Sequence, residues 1–503
     1  MTAFSEISID PKSAVPLYKQ LAGSFSDLIT GGRVQAGEKL PPTRELAGQL
    51  GLNRTTVSAA YTLLEQSGLI AGHVGRGSFV ARRETAGSVL QNESRLDGSH
   101  VPKDWDAVLP PLEAAFPSAH NVEISFASSR PAQNEFPLAQ FRRLSKQVID
   151  SPEAAEILQL GSAHGYAPLR RYLMEESCAA GIARSADDLI ITNGCQQALD
   201  LVARLFGSHG ARVMIEDPAY HGMLRVFERA GADLVPIPVD QSGMDVDALE
   251  ETVRRQNPRL VLVTPSFQNP TGATLTLERR RRIVSLAQRY GFVLVENDIY
   301  SELRYKGKPL PTLKELDETG NIILLRSYSK VSFPGLRVGW VIAPRPVVAR
   351  LAEAKQISDL HSDQLSQAVL LRFAESGELA RHLERTRLAG SARLEAALQA
   401  AHTFLPAGTT FSRPEGGMSL WMELPAPLTA EALLSRGQER GVNFLPGRYF
   451  SARPAHERSL RISFGSLSPE LITRGIKLIG QTAAEELTAN TARLSFEPAA
   501  ALV

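Results

Sequence analysis

The sequence predicts a multidomain chain, with a small helical domain and β wing at the N-terminus followed by an α/β domain with a large and a small lobe. Three observations support this fold class. The chain has 503 residues, which exceeds the usual size of one compact core. Its first 81 residues are rich in helical patterns, and beyond residue 120 short apolar strands alternate with amphipathic helices. Such alternation is typical of a mainly parallel sheet covered on both faces.

Composition excludes several other classes of protein. Hydrophobic residues make up 43% and charged residues 22% of the chain, which is ordinary for a globular protein. Two cysteines and ten histidines without metal-motif spacing predict neither a disulfide framework nor a metal site. The N-terminus lacks a signal-peptide pattern, and no apolar run reaches the roughly 20 residues that span a bilayer. We therefore expect a cytoplasmic protein without membrane contact.

Composition shifts divide the chain into four segments. The stretch before the α/β domain is polar, contains prolines and lacks periodicity apart from a short helix predicted near Leu112, so it reads as a linker. The predicted segments are the helical domain at 1–81, the linker at 82–120, the α/β domain at 121–485 and a C-terminal tail at 486–503.

Brief Val/Ile/Leu-rich runs closed by turn residues predict the buried strands of the α/β domain. From about Val347 helical patterns dominate until three further strand-like runs, GGMSLWMEL, VNFLPG and SLRISFG, which indicates the smaller α+β lobe. The strands of the large lobe are predicted at DDLIITNG, ARVMIEDP, ADLVPIPVD, RLVLVTPS, FVLVEND, NIILLRS and GWVIAP.

The N-terminal domain has the pattern of three helices and a hairpin. Thr43 is predicted to cap the second helix, which ends at Gly51, and Asn53 to cap the third. Two short helices separated by a glycine turn have the spacing of a helix-turn-helix, in which the start of the later helix enters the major groove. On the opposite face of that helix, an apolar stripe is predicted to face the core, formed by Val57, Ala60, Tyr61 and Leu64.

The candidate DNA contacts are polar residues at the start of the third helix and at the tip of the hairpin. An arginine on a glycine-rich wing can reach phosphate or a narrow minor groove. From the residues alone, a small helical domain that binds protein instead of DNA stays open. The candidates are Asn53, Arg54, Thr55, Thr56, His73 and Arg76.

The segment GEKLPPTRELAGQLGLNRTTVSAAYTLLEQSGLIAGHVGRGSFV closely resembles the winged helix-turn-helix domain of the GntR superfamily, in order and without gaps. The resemblance implies binding to a double-stranded DNA operator. It also places Arg44, Arg54 and Arg76 at positions that the superfamily associates with DNA contact. The superfamily usually has serine where this chain has Pro42, a departure that removes one hydroxyl.

Polar residues follow the predicted strands of the α/β domain, at the edge where open parallel sheets bind ligands. Lys330 lies on a turn after NIILLRS, flanked by Ser327 and Ser329, with Arg337 seven residues further on. Pyridoxal 5'-phosphate needs a lysine that forms a Schiff base, an acid that holds the pyridine nitrogen protonated, and donors for the phosphate. This combination of residues therefore predicts a site for that cofactor.

Other strand ends supply the remaining groups. Asp298 after FVLVEND is costly to bury unless paired, and the cofactor's pyridinium would be a partner, with a helix cap as the alternative. Asn269 and Tyr300 can hydrogen-bond the ring hydroxyl.

The phosphate and substrate ends of the site have separate candidates. Backbone N–H groups of Gly194, Cys195 and Gln196 at a helix start would bind the phosphate. Tyr220 would stack on the ring or pack in the core. Arg461 would bind a ligand carboxylate or lie at the surface.

Together these motifs resemble the fold-type I aminotransferases over about residues 121–485, in the order of that family. The resemblance implies that Lys330 is the Schiff-base lysine and Asp298 the pyridinium partner. It adds Ser327 and Arg337 to the phosphate site and gives Arg461 an α-carboxylate to bind. The family commonly has a tyrosine at Leu160 that reaches the partner's cofactor, and this chain lacks it.

A GntR-type reader joined in this order to an aminotransferase-like domain resembles the MocR family of bacterial regulators over almost the whole chain. The resemblance implies a homodimeric transcription regulator that senses a small amino compound, or the cofactor itself, through the aldimine at Lys330 and alters operator binding. Its catalysis would stop at partial transamination or aldimine exchange. Two alternatives stay open: a genuine aminotransferase with an appended DNA-binding module, and an interaction protein with a decayed cofactor site.

Overall fold

The computed structural model describes residues 16–30, 33–34, 37–66, 69–73, 77–80, 122–208 and 210–495. The chain divides into two compact units, Met1–Leu112 and Glu113–Val503. Among the described residues, no helix is long and apolar enough to cross a membrane. The predicted linker and its helix near Leu112 lie outside the described residues.

The N-terminal unit folds around one small apolar core. The rings of Phe25 and Tyr61 meet edge to face there, with centroids 5.7 Å apart. The predicted apolar stripe is confirmed, because Val57, Ala60, Tyr61 and Leu64 are all buried. Its elements are α1 (Leu17–Thr30), α2 (Thr43–Leu50), α3 (Arg54–Gln66) and an antiparallel hairpin of β1 (Ile70–His73) and β2 (Gly77–Val80).

The helix ends in this unit follow the prediction with one exception. Gly51 ends α2 in the left-handed conformation, with φ of 64°. Asn53 caps α3, since its Oδ1 accepts the Thr55 N–H at 3.1 Å. The prediction that Thr43 caps α2 is wrong. Thr43 is already helical, and Pro42, which has no side-chain acceptor, occupies the cap position.

The C-terminal unit is built on an eight-stranded sheet that follows a short strand, β3 (Ile124–Ser125). All seven strands predicted for the large lobe are present. The strands of the sheet are β4 (Asp187–Asn193), β5 (Arg212–Asp217), β6 (Asp233–Asp240), β7 (Gly243–Met244), β8 (Leu260–Val263), β9 (Val293–Asn297), β10 (Ile322–Ser327) and β11 (Val338–Pro344).

The order of this sheet is β4-β11-β10-β9-β8-β5-β6-β7. Strands β10, β9, β8, β5 and β6 run parallel, whereas β11 is antiparallel to both of its neighbours and β7 is antiparallel to β6. The carboxyl ends of the parallel strands therefore meet at one edge, as the sequence predicts.

Helices cover both faces of the sheet. Successive strand residues point to opposite sides, so the sheet presents an apolar surface on each face. Ile215 packs in the core on one face and Met214 in the core on the other. The helices of this lobe are α4 (Leu138–Ile149), α5 (Ala154–Ile157), α6 (Ala167–Ala179), α7 (Gly194–Phe206), α8 (His221–Arg229), α9 (Val246–Gln256), α10 (Leu277–Tyr290), α11 (Leu313–Leu316), α12 (Arg345–Asp359) and α13 (Gln364–Glu375).

The predicted smaller α+β lobe is also present. Its four-stranded antiparallel sheet has the order β12-β13-β16-β15, while β14 pairs with β3. The last helix packs its apolar side against the lobe core and continues to Ser495, past the predicted domain end at residue 485. The elements are α14 (Glu378–Phe404), β12 (Thr410–Phe411), β13 (Ser419–Glu423), α15 (Ala430–Glu439), β14 (Val442–Asn443), β15 (Leu445–Pro446), β16 (Ser459–Ser463) and α16 (Pro469–Ser495).

Candidate functional site

An open cavity of about 610 Å³ lies where β9 and β10 end and α7 and α8 begin. Three residues without a predicted role contribute to its wall: Leu199, Asn297 and Ile299. The structure also brings most of the predicted cofactor residues to this wall, namely Cys195, Gln196, Tyr220, Asn269, Tyr300, Ser327, Ser329, Lys330 and Arg337.

Lys330 lies half-buried on the turn after β10. Its Nζ donates to the Ser129 carbonyl oxygen at 2.6 Å and lies 5.8 Å from the centre of the Tyr300 ring. The Tyr300 and Ser129 hydroxyl oxygens are 3.5 Å apart. The amine is therefore held by a neutral acceptor and not by a carboxylate. Ser129 carried no signal in the sequence, because its contribution to Lys330 is a backbone oxygen from a distant loop.

Donors for an anion gather at the start of α7. The N–H groups of a helix's first turn have no intrahelical acceptor, and in α7, which begins at Gly194, no side chain caps them. Arg337 lies beside them and donates from Nη2 to the Asn193 carbonyl oxygen at 3.2 Å. The Ser327 hydroxyl accepts the Ser329 N–H at 3.0 Å. This arrangement suits a phosphate group.

Two features favour glycine at position 194. Its φ is +75°, and an added Cβ would force the Arg337 guanidinium to move away from the start of α7. We expect Gly194→Ala to weaken cofactor binding about tenfold or more, because the added methyl group displaces the Arg337 guanidinium from the phosphate site and a hydrogen bond to a charged group is worth about 1.5–3 kcal/mol. Absorbance titration with pyridoxal phosphate measures this affinity.

Gly291→Ala is the matched control for that substitution. Gly291 ends α10 with φ of +71°, and nothing lies within 4 Å of a Cβ added there. It carries similar backbone strain without the collision, so its cofactor affinity should stay within about twofold of the parent chain. Equal losses in the two variants would contradict the assigned role of Gly194.

Burial raises the pKa of the Tyr220 hydroxyl, so this group of the cavity is neutral. The Tyr220 hydroxyl donates to Gln196 Oε1 at 3.3 Å, and Gln196 Nε2 donates to the Gly222 carbonyl at 3.1 Å. Burial raises the pKa of the Cys195 thiol to about 12. Cys195 can therefore offer its backbone N–H to a phosphate, but its thiol is not a nucleophile near neutral pH.

Arg461 lies on β16 and is only 4% exposed, so the alternative of a surface role is wrong. It donates from Nη1 to Asn269 Oδ1 at 3.0 Å and from Nη2 to the Ala127 carbonyl. Its Nε has no hydrogen-bond partner, and none of the described carboxylates forms an ion pair with it. Burial lowers the pKa of Arg461 to about 10. This buried cation therefore lacks a counter-charge within the described structure.

Asp298, the predicted partner of the pyridinium, does not line the cavity. Its Oδ2 accepts hydrogen bonds from Arg326, with Nη2 at 2.8 Å, and from Ser301 Oγ at 2.9 Å. The predicted role requires correction because neighbouring residues at the end of β9 point in different directions. Asn297, one position earlier, faces the cavity instead.

The candidate DNA contacts can be followed on the N-terminal unit. Arg44, Arg54, Asn53 and Thr55 are exposed, and Thr56 is half-buried. The backbone of His73 ends β1, whereas its side chain is not described and Arg76 lies outside the described residues.

Two families of known proteins match the chain. Residues 132–479 match the aminotransferase class I and II family, and residues 17–80 match the gntR family of bacterial regulatory proteins. Together the two matches cover most of both units of the fold.

Similar proteins include enzymes and a regulator. Aromatic-amino-acid aminotransferase 1 of Thermococcus litoralis is 36% identical over 72% of this chain and 88% of its own length. The solved structure of LysN, an α-aminoadipate aminotransferase from Thermus thermophilus complexed with N-(5'-phosphopyridoxyl)-L-leucine, is 36% identical. It covers 73% of this chain and 93% of that chain, with a TM-score of 0.69. The probable rhizopine catabolism regulatory protein MocR of Rhizobium meliloti is 29% identical over 93% of this chain and 94% of its own length.

Proposed function

Because the chain belongs to the aminotransferase class I and II family and carries a gntR-family domain ahead of it, we propose that it is a cofactor-dependent transcription regulator. The N-terminal unit would bind a double-stranded DNA operator in the cytoplasm, with Arg44 and Arg54 among the contacts. The observation that carries the proposal is the presence, in one chain, of exposed polar groups at the start of α3 and of a cavity with a lysine amine and anion donors.

The cofactor is pyridoxal 5'-phosphate. When bound, it supplies a carbonyl carbon that reacts with amines and an aromatic ring that withdraws electrons. Lys330 would hold its carbonyl end, and Gly194, Arg337 and Ser329 would hold its phosphate. The residues fit this group, since α7 offers uncapped N–H donors beside the Arg337 guanidinium, which a Cβ on Gly194 would displace.

The effector we propose is a small amino compound that bears a carboxylate. Its amine would compete with Lys330 for the cofactor, and its carboxylate would supply the counter-charge that Arg461 lacks. Arg461 contacts Asn269, which lines the cavity, so the amine and the carboxylate of the effector would bind at adjacent positions. The cofactor itself is the alternative signal.

A homodimer forms part of the proposal. Several large apolar side chains of the C-terminal unit are exposed, including Leu158 at 68% and Leu160 at 73%. Apolar side chains that stay close together at a surface are typical of protein contacts. Leu160 stands at the position where the family's tyrosine reaches the partner's cofactor, which favours this region as part of the contact.

A DNA-binding titration of the full-length chain tests the regulatory role. Operator affinity, measured on the DNA upstream of the chain's own coding region, should change about 5- to 150-fold when pyridoxal phosphate or a matching amino compound is added. Lys330→Ala should still bind DNA but lose this response. Lys308→Ala, on an exposed loop outside the cavity, should respond like the parent. An identical response in Lys330→Ala would refute the coupling.

The second candidate is an aminotransferase with an appended DNA-binding module. Its support is the higher identity of the chain to enzymes, 36%, than to the regulator MocR, 29%. Steady turnover of an amino donor with a keto-acid acceptor would favour it, whereas a single half-reaction at most would favour the regulator.

A further inference from the structure

One polar side chain of the cavity wall lacks a partner. Asn297, the last residue of β9, is 3% exposed and faces the cavity. Its amide oxygen Oδ1 is buried without a hydrogen-bond partner, and its Nδ2 has only a long contact, 3.4 Å, to the Thr264 hydroxyl. Burying an amide oxygen without a hydrogen-bond partner costs free energy. The unpaired amide therefore indicates that a bound ligand supplies the missing hydrogen bond at this part of the wall.

The surroundings of Asn297 carry no negative charge toward the cavity. None of the residues described along the cavity wall is an aspartate or a glutamate, whereas Lys330 and Arg337 are cationic. The Asp298 carboxylate accepts a hydrogen bond from Arg326 and lies outside the cavity wall. The Thr264 N–H behind Asn297 donates to Glu216, but burial raises the pKa of that carboxyl to about 8, so it is mainly neutral at pH 7.

We propose that Asn297 is the residue that meets the ring nitrogen of pyridoxal phosphate, and that its neutral amide leaves this nitrogen unprotonated. The inference rests on the proposed cofactor site and deepens it. The other polar groups of the cofactor are already matched there: the carbonyl by Lys330, the phosphate by the start of α7, and the hydroxyl by Asn269 and Tyr300. Asn297 is the remaining polar wall residue with an unsatisfied atom.

An amide and a carboxylate have different effects at this position. A buried carboxylate would raise the pKa of the ring nitrogen by about one to three units, so that the ring withdraws electrons strongly. An amide can donate to an unprotonated nitrogen or accept from a protonated one, without favouring the charged form. To donate, the Asn297 amide turns by 180°, so that Nδ2 faces the cavity and the orphaned Oδ1 takes the place beside Thr264, whose hydroxyl can donate to it. The cationic Arg337 favours the neutral form further. Such a site can hold an amino compound at the cofactor while proton removal from it stays slow, which suits a sensor.

The protonation of the ring nitrogen can be measured directly. We would load the full-length chain with pyridoxal phosphate labelled with ¹⁵N in the ring and record its nitrogen chemical shift at pH 7. The parent chain should give the shift of an unprotonated ring, and Asn297→Asp should move it to the protonated range. Asp298→Asn is the matched control and should leave it unchanged, since that carboxylate lies outside the cavity wall.

The half-reaction provides a second readout. With an amino acid that the chain accepts, Asn297→Asp should speed the single-turnover reaction about ten- to a thousandfold, matching the gain in protonated ring. A protonated ring in the loaded parent chain would overturn the inference, even if both variants fail to fold. A protonated ring in the parent chain would still be consistent with the proposed cofactor site. A chain that takes up no pyridoxal phosphate would overturn the proposed function and this inference with it.

Discussion

Replacing Arg461 with methionine is expected to weaken binding of a carboxylate-bearing amino compound about thirtyfold to about four-thousandfold. Loss of one member of a buried, hydrogen-bonded charge pair costs about 2–5 kcal/mol, and each 1.4 kcal/mol corresponds to a factor of ten in affinity. Arg461 is buried beside the Phe450 ring, with its guanidinium carbon 5.0 Å from the ring centre. Methionine retains apolar contact with this ring but cannot bind a carboxylate.

Paired ligands make this prediction specific. An amino acid and the amine that lacks its carboxylate would each be titrated against the cofactor-loaded chain by absorbance. The parent should prefer the amino acid, and Arg461→Met should bind both alike. Arg458→Met is a suitable control, because Arg458 lies at the surface in an ion pair with Glu423. If Arg461→Met weakened the amine as strongly as the amino acid, Arg461 would not be the carboxylate partner.

The large sheet could be predicted from the sequence because most of its long strands, such as β8 and β11, are buried on both faces. That burial requires brief continuous runs of Val, Ile and Leu, such as LVLV in β8, and such runs are visible without any structure. The strands β3, β7 and β12 are only two residues long, and the sequence predicts no strand at their positions. They show no periodicity, and tertiary packing alone decides their pairing.

The site was predictable to a similar degree. Its residues follow separate strands, and the parallel arrangement brings the strand ends together at one edge. What the sequence does not reveal is which of two neighbouring polar residues faces the ligand. Chemistry favoured Asp298 because it is an acid, but the backbone direction at the end of β9 places Asn297 at the cavity. The backbone oxygens of Ser129 and Ala127 have no sequence signal, because every residue carries one.

Replacing Lys314 with methionine is expected to lower the free energy of unfolding of the C-terminal unit by about 3–5 kcal/mol. Lys314 Nζ lies 2.8 Å from Asp187 Oδ1, and their side chains are only 2% and 3% exposed. The ion pair joins α11 to the start of β4. Without the lysine, the Asp187 carboxylate would stay buried with no cation to balance it, because water cannot solvate it there.

A double substitution separates the charge effect from the packing effect. In Lys314→Met combined with Asp187→Asn, no buried charge is left, and the amide oxygen can still accept the Arg184 N–H that Asp187 now accepts at 2.9 Å. The double variant should therefore recover most of the lost stability. Lys306→Met, which removes a surface ion pair with Glu395, should cost at most about 1 kcal/mol. Urea unfolding followed through the absorbance of bound cofactor reports on the C-terminal unit. Equal losses for Lys314→Met and the double variant would show that packing at Lys314, and not the unbalanced carboxylate, sets the stability.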